Sequence, residues 1–215
     1  MRASLALLAL AVLYPAVAHA GDNAVSIGSF SRALRSNSAN AISSDDLAGV
    51  HLTIERDVGH DLGIDLFPKL QLWATATWEY GTVDGSMFQT ITTEGTTHIL
   101  TLGGRARYAL RPWVAVSARL DAGVQHTGLQ LDEGGMTAQD HAWGSVATSA
   151  VGAELIAVDH IGLRFEMGYL AASGVALAPV ADKDSNMLQL STAQASIGHL
   201  DLSGRFVTVS LLGAF

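Results

Sequence analysis

Along this chain apolar and polar side chains alternate at every second residue, and the pattern recurs eight times. Between 68 and 80 the even positions read Pro68, Leu70, Leu72, Ala74, Ala76, Trp78 and Tyr80, and the odd ones Lys69, Gln71, Trp73, Thr75, Thr77 and Glu79. Successive side chains of a strand point to opposite faces, so this segment is a strand with one apolar and one polar face; a helix would mix the two sets. Further on, Val114, Val116, Ala118, Leu120, Ala122 and Val124 oppose Ala115, Ser117, Arg119, Asp121, Gly123 and Gln125. Ile161, Leu163, Phe165, Met167 and Tyr169 oppose Gly162, Arg164, Glu166 and Gly168, and Val207, Val209, Leu211, Gly213 and Phe215 oppose Phe206, Thr208, Ser210 and Ala214. Weaker stretches follow the same rule around Val50–Glu55, Leu100–Tyr108 and Ala147–Leu155; the faintest, 24–30, has only Val25 and Ile27 as clear apolar positions.

Eight strands of roughly 8–15 residues suit a membrane strand, which needs about 9–11. The expected fold is all-β: an eight-stranded antiparallel up-and-down transmembrane β-barrel. Composition agrees. Hydrophobic residues make up 49% and charged residues 15%, against about 25% charged in a soluble domain. A net charge of −8 with no cysteine argues against a nucleic-acid partner, a disulfide scaffold and a thiolate metal site. Residues 1–20 read as a secretory signal peptide: Arg2, then an apolar run from Leu5 to Ala18, then Ala18-His19-Ala20 as an A-x-A cleavage site. That apolar run is shorter than the roughly 20 residues of a spanning helix. The barrel domain is then 21–215.

Connections are expected to alternate long and short: 31–45, 57–67 and 82–94, a tight turn at Arg111-Pro112, then 127–140, a turn at Val158-Asp159, and the longest at 172–199. One rim of an outer-membrane barrel carries long loops and the other short turns, which puts both termini at the short-turn rim. Aromatics sort to the strand ends. Trp78, Tyr80, Trp143 and Tyr169 fall at the long-loop ends and Tyr108, Trp113 and Phe215 at the short-turn ends, the arrangement of two interfacial girdles. A soluble ligand-binding barrel also alternates, but gives aromatics no reason to sort in this way.

The closing segment Val207-Thr-Val-Ser-Leu-Leu-Gly-Ala-Phe215 resembles the C-terminal assembly signal of bacterial outer-membrane barrels in Val207, Val209, Leu211, Gly213 and the terminal Phe215. With the signal peptide and the strand count, the mature chain is similar to the small OmpA/OmpX/OmpW-like barrels without a periplasmic domain. The resemblance implies the outer membrane of a diderm bacterium, contact with lipid and lipopolysaccharide, insertion by the barrel-assembly machinery, and a monomer. It is architectural and carries over no functional residue beyond the terminal signal.

By parity the lumen holds Lys69, Arg105, Arg107, Arg119 and Arg164 against Glu55, Glu79, Asp121, Glu154 and Glu166. An eight-stranded barrel is just wide enough for its own side chains, so these charges are expected to pair and fill it. That favours a structural, loop-displaying envelope protein. The alternative is a narrow channel or carrier for small or hydrophobic solutes, for which Trp73 and Phe206 are the only large apolar lumen residues this parity suggests. No enzyme is expected: His141 with Ser145 and His199 with Ser203 share a face but stand roughly 13 Å apart along a strand. His51, His60, His98, His126, His141, His160 and His199 are scattered without ligand spacing. No metal or cofactor is expected. The acidic stretches at Asp132-Glu133 and at Asp182 and Asp184 read as solvated loops.

Overall fold

A computed structural model describes residues 23–34, 46–59, 69–87, 90–158, 160–178, 180–181 and 199–215. Among them stand eight barrel strands: β1 (Asn23–Leu34), β2 (Leu47–Asp57), β3 (Leu70–Met87), β4 (Ile91–Arg111), β5 (Val114–Glu133), β6 (Met136–Val158), β7 (Ile161–Ala172) and β8 (Gly204–Ala214). Each pairs antiparallel with its sequence neighbour from β1 to β7, β7 pairs with β8, and β8 returns to β1 from Ala24↔Ala214 to Leu34↔Gly204. The ring closes, so it has no free edge along the wall and its backbone groups are paired within it. Asn23 and Phe215 exchange both backbone hydrogen bonds, at 3.1 and 2.9 Å, which fixes the two chain ends at one rim. The signal peptide lies outside the described residues.

Strand parity follows the chemistry. Thr53, Thr75, Thr77, Thr101, Thr148, Thr208 and Ser210 point inward and are buried, while Ile27, Leu102, Val151, Leu163, Met167 and Leu211 point outward and are exposed. Two expected long loops are corrected. Within 82–94, β3 runs on to Met87 and β4 starts at Ile91; within 127–140, β5 and β6 continue to a two-residue turn. These extensions stand above the wall with polar residues outward (Asp84, Glu94, Gln130, Asp132) and the apolar Val83 and Leu129 inward, so the outward apolar period of the wall does not mark them. Their register is nevertheless continuous with the wall, from Thr92↔Asp132 down to Ala109↔Ala115 and from Glu133↔Met136 down to Val114↔Leu155.

Gly134 and Gly135 make that turn at φ values of 56° and 88°. Positive φ at both central residues is the type I′ geometry that matches strand twist. Gly135→Val should therefore cost about 1–2 kcal/mol locally. The expected signature is faster amide exchange in the hairpin rungs above Thr127 with an unchanged barrel melting point; unchanged exchange would contradict the strain.

The segment after β7 folds back over the long-strand mouth. Val175 and Ala176 pair with Leu200 and His199, and Val180 and Ala181 pair with Gln139 and Ala138 of β6. Val175, Leu177, Leu200 and Leu202 pack on Leu129 of β5 as a buried apolar cluster. The remainder of the expected long loop lies outside the described residues.

Candidate functional site

Two features stand out: a charged lumen and an aromatic outer wall. Inside, side chains from β2, β4, β5, β6 and β7 form one unbroken chain of alternating sign. Arg107 Nε donates to Glu154 Oε2 at 2.6 Å, and Arg164 Nη2 lies 2.9 Å from Glu154 Oε1. Arg164 then grips Glu55 with both terminal nitrogens, at 3.0 and 2.7 Å. Arg105 Nε donates to Glu55 at 2.6 Å and its Nη1 to Glu166 at 2.8 Å. Arg119 stands 3.6 Å from Glu166 and donates to Asp121 at 2.6 Å. Ser26, Ser117, Thr75 and Thr77 supply the hydroxyl contacts around it. Guanidinium planes suit this task because one fork can serve two carboxylates at once.

Lys69 does not join them. It is exposed in the turn that precedes β3, since pairing starts only at Leu70. The fifth luminal cation is Arg32, fully buried, whose Nη2 donates to Glu79 at 2.6 Å and whose guanidinium lies 5.2 Å over the Phe30 ring. Sequence parity missed it because β1 runs to Leu34 rather than ending near Phe30. Among the described residues the paired luminal charges are again five cations to five anions.

The lumen is also more apolar than Trp73 and Phe206 suggested. Ile99, Val146, Ala150, Leu170 and Phe206 form a layer above the linked network and level with the Arg32–Glu79 pair, with Phe30, Leu47 and Val83 beside it. Ala24, Trp73 and Leu212 pack at the short-turn end. Arg107, half-buried, is where the network approaches the short-turn rim. Beneath the Leu129 cluster a void of about 10 Å³ is lined by Leu47, Val83, Thr97, Thr127, Leu200 and neighbours, room for about one water.

One serine–histidine contact does exist, though not between the residues expected. His51 Nε2 lies 2.9 Å from Ser210 Oγ, across β1. The two face each other over Gly28, which is in register with both; a Cβ there would stand 2.0 Å from the Val209 carbonyl oxygen. His51 Nδ1 has no hydrogen-bond partner to orient it, and both residues are buried. Acyl-transfer chemistry needs an orienting group and access; this pair has neither. His141 and Ser145 sit exposed on β6, and Ser203 Oγ is engaged by the backbone of Ala172. Among the described residues no group of three or more His, Asp or Glu side chains could hold a metal.

Outside, Trp78, Trp143 and Tyr169 are exposed toward the long-strand end, with Tyr80 half-buried beside them, and Tyr108, Trp113 and Phe215 are exposed toward the other. Aliphatic side chains fill the band between, and Leu120, midway, is 70% exposed. From Trp113 to His126 the strand spans roughly 40 Å at about 3.3 Å per residue, or roughly 30 Å in height at the usual barrel tilt. Histidines join the upper girdle. Tyr80, His98, His126 and Trp143 are successive register partners across β3 to β6. Their ring centroids lie 4.9 Å (Tyr80–His98) and 4.7 Å (His126–Trp143) apart, with His141 5.4 Å from His126.

No protein-family model matches the chain, and no curated protein matches it in sequence. In three dimensions it is similar to Ail, the attachment invasion locus protein of Yersinia pestis, at 10% identity and a TM-score of 0.51, over 91% of this chain and 99% of that one. It is likewise similar to a major outer membrane protein from Thermus thermophilus, at 11% identity and a TM-score of 0.56, over 90% of this chain and 99% of that one. The shared property is the architecture: the fold is that of small outer-membrane β-barrels.

Proposed function

We propose that the protein is an exported, monomeric outer-membrane β-barrel of a diderm bacterium. Its wall spans the bilayer as a closed structural element and carries its long strands and loops at the cell surface. In this reading residues 1–20 direct export and are removed. Val207, Val209, Leu211, Gly213 and Phe215 present the closing strand to the barrel-assembly machinery, and the girdles seat the wall against lipid and lipopolysaccharide. The apolar outward band supports the membrane setting, because exposed patches of that extent are costly in water.

One observation favours a structural role over a conducting one: the lumen is filled by a charge-balanced network under apolar layers. An ion moving through would have to separate contacts of 2.6–2.9 Å in a low-dielectric interior, where an uncompensated charge costs several kcal/mol. In planar bilayers the purified protein should give little or no conductance. Stable, large unitary steps would overturn the closed-lumen reading in favour of the channel.

A further inference from the structure

We propose that the outward row His98–His126–His141, set among Tyr80 and Trp143, is a pH-sensitive contact for the phosphates of anionic lipid in the outer leaflet. It engages when the imidazoles are protonated. This rests on the membrane reading above. Interfacial aromatics fix the depth of a barrel, so imidazoles in ring contact with Tyr80 and Trp143 are held at headgroup level. His98 and His126 are direct register partners, and His141 stands opposite Gly128, which leaves its ring free to lean to 5.4 Å from His126. Three imidazoles thus converge on one patch of the wall. A cleft of about 310 Å³ opens directly above, lined by His126, His141, Glu94, Gln130, Gln139 and Asp140.

Charge decides the occupant. β2 brings only Val50 opposite Tyr80. On β4 Glu94 lies above the row and opposite Asp84 of β3; on β5 Asp132 stands higher still, opposite Thr92. On β6 Asp140 accepts hydrogen bonds from the backbone of His141 and Ala178. With neutral imidazoles the charged groups named around this surface are therefore all carboxylates, beside the uncharged Gln130 and Gln139. Protonation places up to three positive charges at headgroup depth, where each basic group is favoured by the negative surface potential. Binding is to the charged form, so it adds stability only while the imidazoles carry a proton. The added stability is present on the acid side of the ordinary imidazole range, below about pH 6.5, and is lost as the imidazoles deprotonate above it.

The test compares the protein in phosphatidylcholine vesicles and in vesicles that also contain phosphatidylglycerol, at about pH 5.5 and about pH 7.5. Acidification should raise the unfolding midpoint more in the anionic vesicles, by about 5 °C, and the H98Q/H126Q/H141Q variant should lose that excess. Luminal groups titrate alike in both lipids and cancel in the comparison. An excess retained by the variant overturns the proposal. As a second measurement on the unaltered chain, the imidazole titration midpoints of the row should rise in anionic lipid by more than that of His160, in the opposite turn. An equal rise means bulk surface potential alone and also overturns it. Failure of the chain to enter either vesicle, read as no heat-modifiable migration, would instead sink the membrane reading.

Discussion

Arg164→Ala should lower stability by about 3–5 kcal/mol, because it removes one cation from between two buried carboxylates. Arg164 contacts both oxygens of Glu55 and one of Glu154 and is almost wholly inaccessible. Truncation leaves Glu55 with Arg105 alone and Glu154 with Arg107 alone. The unfolding midpoint in lipid should fall by roughly 10 °C. Arg107→Ala is the internal comparison. It also removes one guanidinium from the chain of pairs, but one that serves a single carboxylate, Glu154, which keeps Arg164, so the loss should be smaller, about 1–3 kcal/mol. Equal falls for the two variants would mean that the second carboxylate served by Arg164 adds nothing and that the network is not a set of buried charge pairs. Removing both charges of a contact, as in Arg164→Met with Glu154→Gln, should recover part of the loss, since the cost lies in the uncompensated charge.

This network is partly legible in the sequence alone, and the reason is parity. Once Val114–Val124 is read as a strand, Arg119 and Asp121 must share the face opposite Leu120, and likewise Arg164 and Glu166 the face opposite Phe165. What parity cannot supply is where pairing stops. Lys69 has the right parity for the lumen, but the strand begins one residue later. Arg32 has the right parity too, but lies past the point where the thin pattern of β1 fades. The upper halves of β4 and β5 are hidden for a related reason: they rise above the apolar wall, so their outward positions turn polar (Glu94, Gln130, Asp132) while the apolar Leu129 faces inward, and the outward apolar period ends. The Gly134-Gly135 turn is the available signal for the second extension. Cross-strand contacts are beyond reach in principle. That His51 meets Ser210 across Gly28, or that His98, His126 and Trp143 stand in one row, depends on the register between strands.

Leu120→Arg is the second large effect, and it asks what solvent the wall faces. Leu120 is the most exposed of the large apolar side chains and sits midway between Trp113 and the His126 row. At the midplane of a bilayer an arginine on the lipid face of a barrel costs about 2–4 kcal/mol, falling to about 0–1 near the interfaces. Val114→Arg, beside Trp113, should therefore cost much less than Leu120→Arg. Gln130→Arg, on the sheet above the upper girdle, should lie within about 0.5 kcal/mol of neutral. The measurement is reversible unfolding from lipid vesicles for all three variants, read as a depth profile along one outward row of one strand. On a soluble barrel an exposed arginine meets water at every height, so the profile would be flat. A graded cost that peaks at Leu120 would place hydrocarbon against the band between the girdles; three near-neutral substitutions would remove the membrane from the account and leave only the shape of the barrel.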